Sequence, residues 1–120
     1  ISEIAKETFS RLNLSNIYQF TGEFSTELDK LLVLINKPEL VFVDGNHTYE
    51  ATKKYFNLFL EKATKNAILV FDDIHWSEGM EKAWNEIVNS DKAVLTVDFF
   101  DFGLVFLDVS LTKGHYILKY

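Results

Sequence analysis

Two stretches of the chain carry residue types that could do chemistry together. In LVFVDGNHTYEAT (40–52) an apolar run leads into Asp44, and His47 follows three positions later. In AILVFDDIHW (67–76) another apolar run ends in Asp72 and Asp73, with His75 close behind. Carboxylates are the natural ligands of hard cations, and Mg²⁺ takes one or two of them beside waters and substrate oxygens. A neutral imidazole next to such a site can accept a proton from a substrate hydroxyl. For any one of these Asp residues, capping the following helix or turn is the simpler role. If the two strands are neighbours, however, three carboxylates converge on one rim, and a site becomes at least as good a reading as three caps. For His47 the competing role is a hydrogen bond to the loop backbone. His75 is a weaker parallel candidate, and His115 reads as structural. Trp76 lies where it could wall a crevice or simply pack on the surface, whereas Trp84 falls in an apolar stripe and reads as core.

The elements that must position these groups follow from hydrophobic period. Ile1, Ile4, Ala5, Phe9 and Leu12 keep helical spacing over 1–12, NLSN breaks the helix, and IYQFT (17–21) alternates like a short strand. A helix is expected over 25–35, capped by Ser25 and stopped by the NKP run that ends in Pro38. LVFV (40–43) and AILVF (67–71) have the unbroken apolar character of strands buried on both faces. Between them a helix from a Thr48 cap to about Ala63 turns Ala51, Tyr55, Leu58 and Phe59 inward, with Asn66 expected as a left-handed cap. Ser77 should cap a further helix presenting Met80, Ala83, Trp84, Ile87 and Val88. AVLTVDFF (93–100) and GLVFLDV (103–109) are too close for a helix between them, so they should form an antiparallel hairpin. HYILKY (115–120) adds a last strand. The alternation implies an α/β fold, a mostly parallel sheet with helices on both faces and an antiparallel finish. In such sheets ligands bind at the carboxyl ends of the strands, where Asp44, Asp72 and Asp73 sit.

Composition narrows the functional classes. The 120 residues suit one domain, and 48% apolar with 15% aromatic content argues against disorder. A net charge of −6 disfavours nucleic acid as a partner, since that affinity rests on Lys and Arg. With no Cys there is no disulfide, thiolate ligand or thiol nucleophile, which fits a cytoplasmic setting. No apolar run approaches the roughly 18 to 20 residues of a membrane span, and no signal peptide is visible. The chain opens on Ile1 and its one Met is Met80, so it reads as the C-terminal part of something longer. LVFDD is similar to the Mg²⁺-holding strand of P-loop proteins, but no GxxxxGK[ST] is present. A phospho-receiver pocket does not suit the antiparallel finish, and there is no GxSxG elbow.

The run from Glu39 to Ile87 resembles the second half of a class I S-adenosylmethionine-dependent methyltransferase, in the branch whose fourth strand ends in IDGxHxY and whose fifth ends in DD. NLSNIYQFTGEF is similar to that family's third strand and following turn, and the closing hairpin to its sixth and seventh strands. The resemblance implies that Gly22, Glu23 and Phe24 lie beside the adenine of the cofactor and Asp44 near its methionine end. It also implies Mg²⁺ at Asp44, Asp72 and Asp73, and His47 as the base, where the family's catechol-type members carry Lys. The implied partner is a small-molecule hydroxyl acceptor. The family's first strand, Gly-rich loop and ribose-binding acid find no counterpart in the chain, which contains no GxG. The strand order 3-2-1-4-5-7-6 then leaves LVFV without a neighbour, and the segment should bind the cofactor weakly. Either strand 17–21 moves in beside 40–44, or two chains pair there as a homodimer. The alternative to an enzyme is a truncated α/β domain that self-associates without turnover.

Overall fold

The computed structural model describes residues 1–119, apart from the Ser25 side chain; Tyr120, the end of the expected last strand, lies outside the described residues. The chain forms two compact units, Ile1–Asn36 and Lys37–Tyr120.

The first unit holds α1 (Ser2–Arg11) and α2 (Phe24–Ile35). The apolar stripe of α1 buries no residue. Residues 17–21 form no strand, contrary to their alternation. Alternation marks two faces but supplies no ladder partner, and an isolated strand has nowhere to place its N–H and C=O groups. Here the segment is tied by Gln19, whose side-chain amide donates to the Ser2 carbonyl at 2.8 Å. α2 starts one residue before the expected cap, with Glu23 at the N-cap and Ser25 inside the helix. It stops at Asn36 (φ 64°), just ahead of Pro38.

The second unit runs β1 (Leu40–Val43), α3 (Tyr49–Lys62), β2 (Ile68–Asp72), α4 (Glu78–Val88), β3 (Leu95–Asp98), β4 (Phe102–Phe106) and β5 (Gly114–Ile117). Both helices start as their sequences dictate: the Thr48 side chain accepts from Ala51 N–H, and that of Ser77 from Met80 N–H. α3 ends at Lys62 with an extended Ala63, so Asn66 is not the left-handed cap. The chain leaves the helix early because Thr64 N–H donates to Pro38 O, aligning the entry to β2 with β1.

The five strands form one sheet in the order β1-β2-β4-β3-β5. β1 lies parallel to β2 and β5 parallel to β3, while β4 runs antiparallel to both of its neighbours. β1, β2, β3 and β5 therefore all point the same way, and their carboxyl ends share one rim. The register Phe71↔Gly103↔Asp98 aligns three residues on the face covered by the helices. Phe56 of α3 meets the Phe71 ring edge-on at 6.3 Å, and Trp84 of α4 lies on Gly103. Leu69, Phe71, Met80, Ala83, Ile87 and Val105 complete this core.

β1 is not buried on both faces as its apolar run suggested. It is the edge strand, and Leu40 and Phe42 remain 65% and 59% exposed. Residues 17–21, forming no strand, do not supply the ladder partner expected for it.

Gly103 is required by packing, since a Cβ there would lie 2.4 Å from the Trp84 ring. Gly103→Ala should cost about 1–3 kcal/mol, as overpacked cores do. It should lower the urea midpoint and shift Trp fluorescence together; an unchanged midpoint would contradict the close approach.

Candidate functional site at the carboxyl rim of the sheet

Parallel pairing of β1 with β2, with Val43 opposite Phe71, sets Asp44 level with Asp72. Beyond β1 the backbone reverses through Asn46 at φ 51°, and the Thr48 cap starts α3 so that His47 folds back over the strand ends. Beyond β2, Asp73 is itself left-handed (φ 55°), held by its N–H donating to Asp101 O at 2.7 Å. Non-glycine residues pay for such conformations, which concentrate at working sites.

The result is a compact group. Ligand atoms of Asp44, His47 and Asp72 all lie within 4.8 Å of one another. His47 Nε2 is 3.5 Å from Asp44 Oδ1, and Nδ1 is 3.3 Å from Asp73 Oδ2. The imidazole thus stands between two carboxylates. Its Nε2 is buried yet makes no hydrogen bond. Burial, and then the charges of Asp44 and Asp73, raise the Asp72 pKa above its ordinary value; an Asp73 backbone hydrogen bond and His47 oppose them. Two carboxylates and an imidazole this close form a donor set that fits a divalent cation.

Gly22, Glu23 and Phe24 form the entry to α2 in the first unit, with Gly22 at φ 158° and Phe24 partly exposed. Trp76 is exposed, and Trp84 is core as its stripe implied. His115 bonds Thr96 through Nδ1 at 2.8 Å and meets Trp84 edge-on, a structural role.

Asp98 lies outside both of the motifs that the sequence singles out. It is 4% exposed, and its carboxylate accepts from three donors. These are His75 Nε2 at 2.8 Å, Trp84 Nε1 at 3.1 Å and Phe100 N–H at 2.8 Å. Burial alone would raise its pKa, but the Phe100 amide, His75 and Trp84 together outweigh that and lower it. The signal was present, because LTVD repeats the strand-then-Asp pattern of LVFVD and LVFD. The Tyr of the DGNHTY run also gains a role. Tyr49 OH donates to Glu86 at 2.9 Å, Lys53 pairs with the same carboxylate at 3.1 Å, and α3 is thereby tied to α4.

A family profile described as a methyltransferase domain matches residues 3–74, more than half of the chain. The chain belongs to this methyltransferase-domain family. An uncharacterized protein of Acanthamoeba polyphaga mimivirus is 36% identical over 58 residues, which is 46% of this chain and 26% of that protein. The chain thus spans about a quarter of that relative's length. No solved structure matches. Within the methyltransferase match lie Gly22, Glu23, Phe24, Asp44, His47, Asp72 and Asp73, whereas His75, Asp98 and Phe100 fall beyond it. No helix among the described residues of this methyltransferase domain is long and apolar enough to cross a membrane.

Because the folded state raises the Asp72 pKa, ionising Asp72 costs the fold stability at neutral pH. Asp72→Asn should therefore raise the thermal midpoint at pH 7 without added metal. The gain should disappear below the unfolded carboxyl value of about 3.9, where both states are protonated. A midpoint that falls at pH 7 would contradict the raised pKa of Asp72.

Proposed function

We propose that this rim is the acceptor side of an S-adenosylmethionine-dependent methyltransferase that methylates a hydroxyl of a small molecule. The observation that carries the proposal is the convergence of Asp44, Asp72 and Asp73 around His47, whose buried Nε2 has no hydrogen-bond partner. Asp44 and Asp72 would hold a cation such as Mg²⁺. When bound, that ion would make the acceptor hydroxyl more acidic. Asp73, facing Nδ1, fixes the imidazole with its proton on that nitrogen and leaves Nε2 as the acceptor. Asp44, whose side chain is more than half exposed, would turn toward that ion and uncover Nε2. His47 Nε2 then takes the hydroxyl proton as the new C–O bond forms and the sulfonium C–S bond breaks. Family membership supports S-adenosylmethionine as the methyl donor. Gly22, Glu23 and Phe24, at the entry to α2, are proposed to contact it.

The test is radiolabelled methyl transfer to a panel of small phenols and alcohols by the polypeptide that contains this segment. His47→Gln should lower kcat by about 10²- to 10⁴-fold, the usual loss on removing a general base. Unchanged turnover would remove His47 from the chemistry. Turnover with none of the acceptors would favour the second reading, a non-catalytic domain pairing as a homodimer through the exposed edge of β1 at 40–44. The exposure of Leu40 and Phe42 supports that reading.

A further inference from the structure

Farther along the same rim, β3 and β5 end side by side at a cavity of about 560 Å³. His75, Asp98, Phe100, Ile117, Leu118 and Lys119 line it. It is separate from the carboxylate group, because β4 stands between β2 and β3 and two strand spacings amount to roughly 10 Å. All six residues also lie beyond the portion matched by the methyltransferase family. Nothing in the proposed methyl transfer uses them.

We propose that this cavity binds a planar aromatic carboxylate, with its ring on the Phe100–His75 shelf and its anionic group at Lys119. Phe100 is held at φ 73°, an expensive conformation for an aromatic residue, and is 65% exposed. Its amide is anchored on Asp98, and its ring stacks on His75 with centroids 5.5 Å apart and planes 26° from parallel. The fold therefore spends backbone strain to keep an aromatic face in solvent beside a cavity, where a core role would have hidden it. Ile117 and Leu118 add aliphatic surface to the lining, and β5 is fixed there by Leu118 N–H donating to Asp98 O at 2.8 Å. A flat ring in a cavity lined by an aromatic shelf and aliphatic side chains gains apolar burial.

Charge decides the polar end of the ligand. Asp98 is among the lining residues, but it is 4% exposed and its carboxylate already accepts from three donors, so little of it is open to a ligand cation. Lys119 is the cation at the mouth, with neither a hydrogen bond nor an ion pair among the described residues. A monoanion is matched there, whereas a polyanion would meet repulsion from the neighbouring carboxylates and the net charge of −6.

Titration of the chain with benzoate, followed by amide NMR, tests this without metal or methyl donor. The expected shifts centre on residues 75, 98, 100 and 117–119 and leave 44–47 unmoved. Phe100→Ala and Lys119→Gln should each weaken binding by about tenfold, the loss of one stacking or charge contact. Benzylamine and cyclohexanecarboxylate should bind more weakly than benzoate. Shifts elsewhere only, equal affinity for benzylamine, or an undiminished affinity in the surface variant Lys119→Gln would each overturn the assignment. Because benzoate needs neither His47 nor a methyl donor, its failure to bind would leave the methyl-transfer reading standing.

Discussion

The parallel pairing of β1 with β2 is the constraint on which the rest depends. Parallel strands leave their carboxyl ends on one side, and the register Val43↔Phe71 places Asp44 and Asp72 at the same height. A slip of one residue would turn Val41 and Val43 out of the helix-covered face and carry Asp44 away from Asp72. What prevents the slip is packing. Leu69 and Phe71 are fully buried beneath α3 and α4, and Phe71 is locked by the Phe56 ring. The core thus determines the geometry of the charged group, whose members by themselves repel one another.

The same logic extends across the sheet. β4 runs antiparallel between β2 and β3, so β3 again points toward the rim and delivers Asp98 there. Asp98 is stabilised where Asp72 is strained. The first has three donors on a buried carboxylate, and the second has burial and like charges. One rim therefore holds a satisfied carboxylate that organises His75, Trp84 and Phe100, and a group of close carboxylates around an imidazole nitrogen with no hydrogen bond. The bond from Asp73 N–H to Asp101 O links the two loops.

Much of this was legible in the residues because it is local. The caps at Thr48 and Ser77, the stripe through Met80, Ala83, Trp84 and Ile87, and the close-set hairpin strands each follow from a few neighbouring side chains. What was not legible is non-local. IYQFT has the alternation of a strand and forms none, while LVFV has the composition of a central strand and its edge position followed only from the family's strand order. Asp98 escaped because its importance comes from donors on a loop, a helix and a turn that only the fold brings together. Phe100 escaped because no side-chain pattern announces a left-handed aromatic residue.

The central claim is that Asp44 and Asp72 hold one cation beside His47. Paramagnetic Mn²⁺, used in place of Mg²⁺ at substoichiometric concentration, should broaden the amide and side-chain resonances of residues 44–47 and 72–73 first. That selectivity should vanish in Asp44→Asn/Asp72→Asn. Broadening spread evenly over the exposed acidic residues, or surviving unchanged in the double variant, would show that the group is only a cluster of strand-end carboxylates.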